Sequence, residues 1–273
     1  MPLRFEHRAE LTLPVDLAGI TPEWARDQRL EEIERREVLV GNHRMPLAEL
    51  FAVSGDPSDA EIDLVGDLSR VHAIGAGMTS GTIRVEGDVG RQLGAEMSGG
   101  KIHVMGHAGD WLGREMRGGR IHVAGNAGDF AGGSPAAARR GMSGGELLIA
   151  GNAGDEVGRA MRRGLIVVGG AAGDSLGLNM VAGTALVFGR CGPRPGLGMR
   201  RGTIGLFTAP AELPLTFRRA NRWRPQFMRL LLNYVCRIGM TGADQFLDSE
   251  YLSYHGDLLR LGKGEILVRE MIS

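Results

Sequence analysis

Cysteine is scarce in this chain. The two present, Cys191 and Cys236, lie far apart and show no metal-ligand spacing. That argues against a disulfide framework or a thiolate-held iron–sulfur site and fits a reducing cytoplasm. Lysine is almost absent: of 32 basic residues only Lys101 and Lys263 are lysines, a bias read first as GC-rich coding. Net charge is missing too, since 32 acidic residues balance the basic ones, so nothing in bulk points to nucleic acid. The opening MPLRFEHRAELTL lacks the apolar run of a signal peptide, and no uncharged stretch approaches the roughly 20 residues that cross a bilayer. The expectation is a cytoplasmic chain with no membrane partner.

What the chain has is glycine, 44 residues of it, and much of it recurs at fixed phase. From Thr82 the segments TIRVEGDVGRQLGAEMSGG, KIHVMGHAGDWLGREMRGG, RIHVAGNAGDFAGG…MSGG, ELLIAGNAGDEVGRAMRRG, LIVVGGAAGDSLGLNMVAG and TALVFGRCGPRPGLGMRRG succeed one another, with seven extra residues in the third. A looser copy spans 61–81. A short period with glycine at constant phase means stacked turns of chain, each burying its apolar face on its neighbours. Glycine at this density would dismantle amphipathic helices.

Each copy opens with alternating residues, as a sheet with one buried face requires. Ile83 and Val85, Ile102 and Val104, Ile121 and Val123, Leu147 and Ile149, Ile166 and Val168, and Ala185 and Val187 are expected to point inward. A G-x-x-G-D turn follows (Gly106, Gly109, Asp110 and their equivalents), implying corners that need positive φ or close chain approach. Met97, Met116, Met142, Met161, Met180 and Met199 then return once per copy, suited to the irregular centre of a narrow coil. Burying each contributes about 1.5–3 kcal/mol. Nineteen residues per copy fits poorly with left-handed hexapeptide coils. The expected fold is therefore all-β: a right-handed parallel β-helix of about seven coils, a prism roughly 30 Å long at about 4.8 Å per coil. Between the inward residues stand Arg84, His103 and His122 in early copies but Leu148, Val167 and Leu186 in later ones. Stacked exposed aliphatics form a patch that is normally covered, here by the C-terminal segment or by another subunit.

The expected organisation is an N-terminal cap over 1–60, the β-helix over 61–207 and a C-terminal extension over 208–273. The cap holds a strand-like start, a charged helix around 23–36 and a hairpin over 37–50 turning on Gly41-Asn42. In the extension a helix from Pro225 to about Arg237 carries Phe227, Leu230, Leu231, Tyr234, Val235 and Ile238 as its apolar side. Arg190-Cys191-Gly192-Pro193-Arg194-Pro195 replaces the usual corner, and regular stacking is expected to end there.

Few residues suggest chemistry. Repeated glycine motifs resemble nucleotide loops, but strands rather than helices follow them. Asp110, Asp129, Asp155 and Asp174 form a column that could hold cations, though aspartate at corners more often caps backbone N–H groups in Asx turns. His103 and His122 are adjacent with His107 near, yet no third ligand stands at fixed spacing, so no metal site is assigned. No catalytic constellation is found. Arg117, Arg162 and Arg200 follow the methionine at one phase, Arg163 and Arg201 come next, and Arg139 and Arg140 sit in the insertion. They could present a basic surface to an anionic ligand or partner, or be a solvated corner.

The blocks IHVMGHAGDWLGREMRGGRIHVAGNAGD and MSGGELLIAGNAGDEVGRAMRRG, with the closing GDLLRLGKGEILV, resemble the C subunit of formylmethanofuran dehydrogenases, most closely that of the bacterial formyltransferase/hydrolase complex of methylotrophs. The repeat also resembles the C-terminal β-helical domain of glutamate synthase, so it speaks to fold rather than function. The flanks LAGITPEW, VGNHRMPLAELF and GKGEI look like the stand-alone subunit. The resemblance implies a four-subunit cytoplasmic assembly in one-carbon (formaldehyde oxidation) metabolism. Its hydrolase, dehydrogenase-like and formyltransferase subunits pass a formyl group from tetrahydromethanopterin to methanofuran or methylofuran and release formate. The metal sits in the hydrolase subunit, and the C subunit is a scaffold binding no cofactor alone. The resemblance further implies that the carrier's polyglutamate tail is a ligand for Arg117, Arg139, Arg140, Arg162, Arg163, Arg200 and Arg201. Two other readings are the archaeal tungsten or molybdenum dehydrogenase and an independent β-helix enzyme.

Overall fold

The computed structural model describes residues 1–8, 12–136, 138 and 140–270. The N-terminal flank runs β1 (Leu3–His7), β2 (Val15–Asp16), α1 (Pro22–Ala25), α2 (Leu30–Glu34), β3 (Glu37–Val40), β4 (His43–Pro46), α3 (Leu47–Leu50) and β5 (Phe51–Ser54). The expected single helix over 23–36 is thus two short ones. Arg29 is extended, and its backbone N–H donates to the Glu32 carboxylate at 2.8 Å, so the chain restarts its helix there. The hairpin over β3 and β4 turns through Gly41-Asn42, but 47–50 is helical rather than part of the second strand.

Stacked parallel strands follow: β6 (Glu61–Val65), β8 (Thr82–Glu86), β9 (Lys101–Val104), β10 (Arg120–Val123), β11 (Ser143–Ile149), β12 (Arg163–Val168), β13 (Thr184–Val187) and β14 (Arg201–Leu206). The short β7 (Val71–His72) instead pairs with β2 in a separate four-stranded sheet, β4-β3-β2-β7. From β8 on, equivalent repeat positions pair, Ile83 with Ile102, Ile102 with Ile121, Ile121 with Leu147, Leu147 with Ile166, and Ile166 with Ala185. Every one of these is at most 1% exposed, and all six repeat methionines are fully buried. A second column of parallel bridges links Val89, Ala108, Ala127, Ala153, Ala172 and Cys191 along the corners. The protein is mostly β, built on one large, mostly parallel sheet of solenoid type.

Glycine serves this stack in two ways. At Gly128 a Cβ would sit 2.2 Å from Asp110 Oδ1 on the preceding rung, so close approach decides, whereas Gly119 has φ +80°. Other left-handed corners are occupied by ordinary residues such as Trp111, Phe130 and Glu156.

The stack does not end at 190–195. Cys191 bridges Ala172, the Ser175 N–H donates to the Pro193 carbonyl at 2.9 Å, and β14 pairs in register with β13. Proline lacks a donor but keeps its acceptor, which is what this corner uses. The chain then forms β15 (Arg218–Trp223), α4 (Gln226–Arg237), β16 (Tyr251–Gly256) and β17 (Lys263–Arg269). Strand β17 returns to add another parallel rung on β14, and β16 and β15 continue antiparallel from it. At the opposite end β1 pairs parallel with β6 and antiparallel with β5. One sheet thus runs from β5 to β15.

Helix α4 covers the late outer face. Leu148, Val167 and Leu186 are fully buried against Met228, Leu232 and Val235. The covered helix face centres on 228/232/235; of the expected stripe Val235 is fully buried and Leu231, Tyr234 and Ile238 pack at the margin, whereas Phe227 and Leu230 stay 40% and 71% exposed. Glu146 ties helix to coil, accepting from Arg120 Nε at 2.6 Å and from the Tyr234 hydroxyl. Among the described residues no helix is long and apolar enough to cross a membrane.

Candidate functional site

The corner after each methionine is held rung to rung by its backbone. The N–H groups of Arg162, Val181 and Arg200 donate to Met142, Met161 and Met180 carbonyls at 2.7–2.8 Å. Side chains at this phase therefore stack in column. Arg162 and Arg163 lie two rungs from Arg200 and Arg201, with Val181 and Ala182 between them. These six residues, with Ser143 and Leu261, line a groove of about 650 Å³. A second hollow of about 520 Å³ shares Arg162 and Arg200 and adds Arg140, Arg159 and Arg260. The two form one arginine-lined trough.

Among the described residues, no carboxylate lies within 4.0 Å of Arg140, Arg162, Arg163, Arg200, Arg201 or Arg260, while Arg159 pairs with Glu156 at 2.6 Å. Guanidinium groups gathered without counter-charges repel one another, so an anion at this place is favoured, and planar bidentate pairing suits carboxylates.

Arg117 shares the repeat phase but not the trough. It is bound to Glu96 at 3.1 Å and sits two rungs before Arg162, with Ser143 between them. Arg139 lies outside the described residues. Arg260 carries no sequence signal, because it reaches the trough from the turn after β16. There the buried Asp257 carboxylate accepts N–H groups from Gly198 at 3.0 Å and Leu259 at 2.9 Å, locking that turn against the Arg200 corner. A buried aspartate anchoring a distant loop has no periodic signature.

The aspartate column is a hydrogen-bond ladder. Asp110 accepts the Asp129 N–H, Asp129 that of Asp155, and Asp155 that of Asp174, at 2.8–3.0 Å. The acceptor serves the next rung, so these are not the Asx turns expected within a corner. A parallel ladder at the first corner position uses Asp88, His107, Asn126 and Asn152. His107 is thus a rung-to-rung acceptor. His103 and His122 meet edge to face at 6.1 Å, and burial pulls both imidazoles below the usual histidine range, helped at His103 by neighbouring His122 and Arg84. No cluster of three or more histidine, cysteine or carboxylate groups able to hold a metal occurs among the described residues. Burial, with Asp174 nearby, pushes the Cys191 thiol up to about 12.

The profile of the GXGXG motif family matches residues 64–217. The C subunit of the molybdenum-containing formylmethanofuran dehydrogenase 1 of Methanothermobacter thermautotrophicus is 39% identical over 87 residues, 32% of this chain and 22% of that protein. The C subunit of the formyltransferase/hydrolase complex Fhc of Methylorubrum extorquens is 40% identical over 88 residues, 32% of each chain. The matched segments thus span a third or less of these curated relatives. A chain in the crystal structure of the formyltransferase/hydrolase complex from Methylorubrum extorquens, in complex with methylofuran, superposes with a TM-score of 0.92 at 36% identity, covering 98% of this chain and 100% of that one.

Proposed function

We propose that this chain, which belongs to the C-subunit family of formylmethanofuran dehydrogenases and formyltransferase/hydrolase complexes, is the scaffold subunit of a formyltransferase/hydrolase complex. The full-length likeness to a chain of such a complex carries the reading. In it, hydrolase, dehydrogenase-like and formyltransferase partners move a formyl group from tetrahydromethanopterin to a methylofuran-type carrier and hydrolyse it to formate, in the cytoplasm. This chain supplies no catalytic residue. We read its spine as a right-handed β-helix of about seven coils over 61–207, with 1–60 as cap and 208–273 as extension. The dehydrogenase reading, with molybdenum or tungsten in a partner, has sequence matches of the same extent as the hydrolytic complex, about a third of this chain each, and the full-length structural likeness to a chain of the hydrolytic complex favours the latter.

The trough of Arg162, Arg163, Arg200 and Arg201 would hold the carboxylates of the carrier's tail, since its donors carry no internal counter-charge. Arg117, already bound to Glu96, takes no part. The test is the assembled complex with all four arginines replaced by serine. Carrier-dependent turnover should fall about tenfold or more at limiting carrier, one charge-assisted bond alone contributing roughly 1.5–3 kcal/mol. The assembly should stay intact. Unchanged kinetics would remove the tail-binding role, and formate release by this chain purified alone would overturn the scaffold reading.

A further inference from the structure

The two edges of the main sheet differ. At one edge β5 buries Phe51 and Val53, so half of the strand is packed into the cap. At the other, all six side chains of β15 are exposed, and the strand is held by its antiparallel pairing with β16, irregular between Arg219 and Arg222, by the Ser253 hydroxyl donating to the Asn221 carbonyl and by the Arg222–Glu270 ion pair. Among the described residues nothing pairs with the outer edge of β15. A strand that buries no side chain draws little of its order from packing, and its free edge is a template for another strand.

Beside this edge lies a second apolar feature. Trp223, the last residue of β15, stands 6.3 Å from Phe227 of α4, ring centre to ring centre. Leu230 follows one helical turn on. The three are 42%, 40% and 71% exposed. The face of α4 that serves the fold is already occupied by the coil aliphatics, so this stripe contributes nothing to the chain's own core.

Charge selects the occupant. Arg222 and Arg224 are neutralised by Glu270 and Glu250, whereas Arg218 and Arg219 have no carboxylate within 4.0 Å among the described residues. We propose that the β15 edge is an interface that receives an extended segment of another subunit of the complex. That segment pairs with the strand, sets apolar side chains on Trp223, Phe227 and Leu230, and sets carboxylates against Arg218 and Arg219. This rests on the scaffold reading, because it requires a hetero-oligomeric partner.

Amide hydrogen exchange of the full chain, alone and co-assembled with its three partner subunits, tests it. In the isolated chain the outward amides of β15 should exchange as open groups. In the assembly they should slow by about tenfold or more, and R218E/R219E/W223S should abolish that slowing and release one partner subunit. An assembly that forms with β15 exchanging as fast as before overturns this interface and leaves the scaffold reading standing. Failure of any assembly to form overturns both. Slowing that grows with concentration in the isolated chain overturns the partner assignment in favour of a second copy. A triple variant that keeps all partners while its unfolding midpoint is unchanged also overturns it.

Discussion

Asp129 Oδ1 accepts the backbone N–H of Asp155 at 2.8 Å, binding one rung of the solenoid to the next. The relation repeats along the column, so each aspartate contributes to its neighbour's corner rather than to its own. Asparagine does the same one column away, from Asn126 to the Asn152 N–H at 2.8 Å. Asp129→Ala should therefore lower stability by about 1 kcal/mol, the usual net worth of such a bond, whereas Asp129→Asn should stay close to wild type. Urea unfolding midpoints check this. Loss of stability in both variants would mean that charge, hence a bound cation, is what the column supplies.

Gly128 meets the Asp110 carboxylate and backbone of the preceding rung wherever a side chain would start. Gly128→Ala must spread two rungs and should cost about 2–3 kcal/mol, in the manner of an overpacked core. Thermal unfolding of the purified chain provides the measurement, with Ala127→Gly at the neighbouring position as a control for backbone entropy.

Leu232 is fully buried between α4 and the aliphatic column of Leu148, Val167 and Leu186. Leu232→Asp should detach the helix, because an unpaired carboxylate cannot remain in that seam. Limited proteolysis should then cut within Gln226–Arg237 at least about tenfold faster, while β9 and β10 amides keep their protection. Equal loss of protection throughout would show that helix and coils unfold as one unit.

His103 and His122 give the stability curve a sign. Burial depresses both imidazoles in the folded chain, so the unfolded state binds more protons once pH falls below about 6.5. Stability from this pair is fully present above that value and declines as pH drops through it towards the folded values. Denaturation midpoints between pH 7.5 and 5 should fall in wild type and flatten in His103→Gln/His122→Gln. An unaltered slope in the double variant would assign the acid sensitivity to other groups.

The register of the coils was legible because it is local and repeated: an apolar pair, a glycine corner and a methionine recur, and each copy tests the reading of the last. The arginines at 162, 163, 200 and 201 were legible for the same reason, since phase alone places them in two adjacent columns. Phase also misled. Arg117 shares it and is taken by Glu96, a contact between neighbouring rungs that the period does not describe. The Arg190–Pro195 corner looked like a terminator because proline loses a donor, yet the stack there needs only its carbonyl.

By itself, then, the sequence determined which residues face the interior and at what spacing, because a strictly periodic chain repeats one local energetic choice. Tertiary structure alone decided that α4 covers Leu148, Val167 and Leu186, that β17 returns as a further rung, and that Asp257 brings Arg260 to the trough. Those contacts join segments with no common period. They are selected by the apolar surface and open strand edge that remain after the coils have stacked.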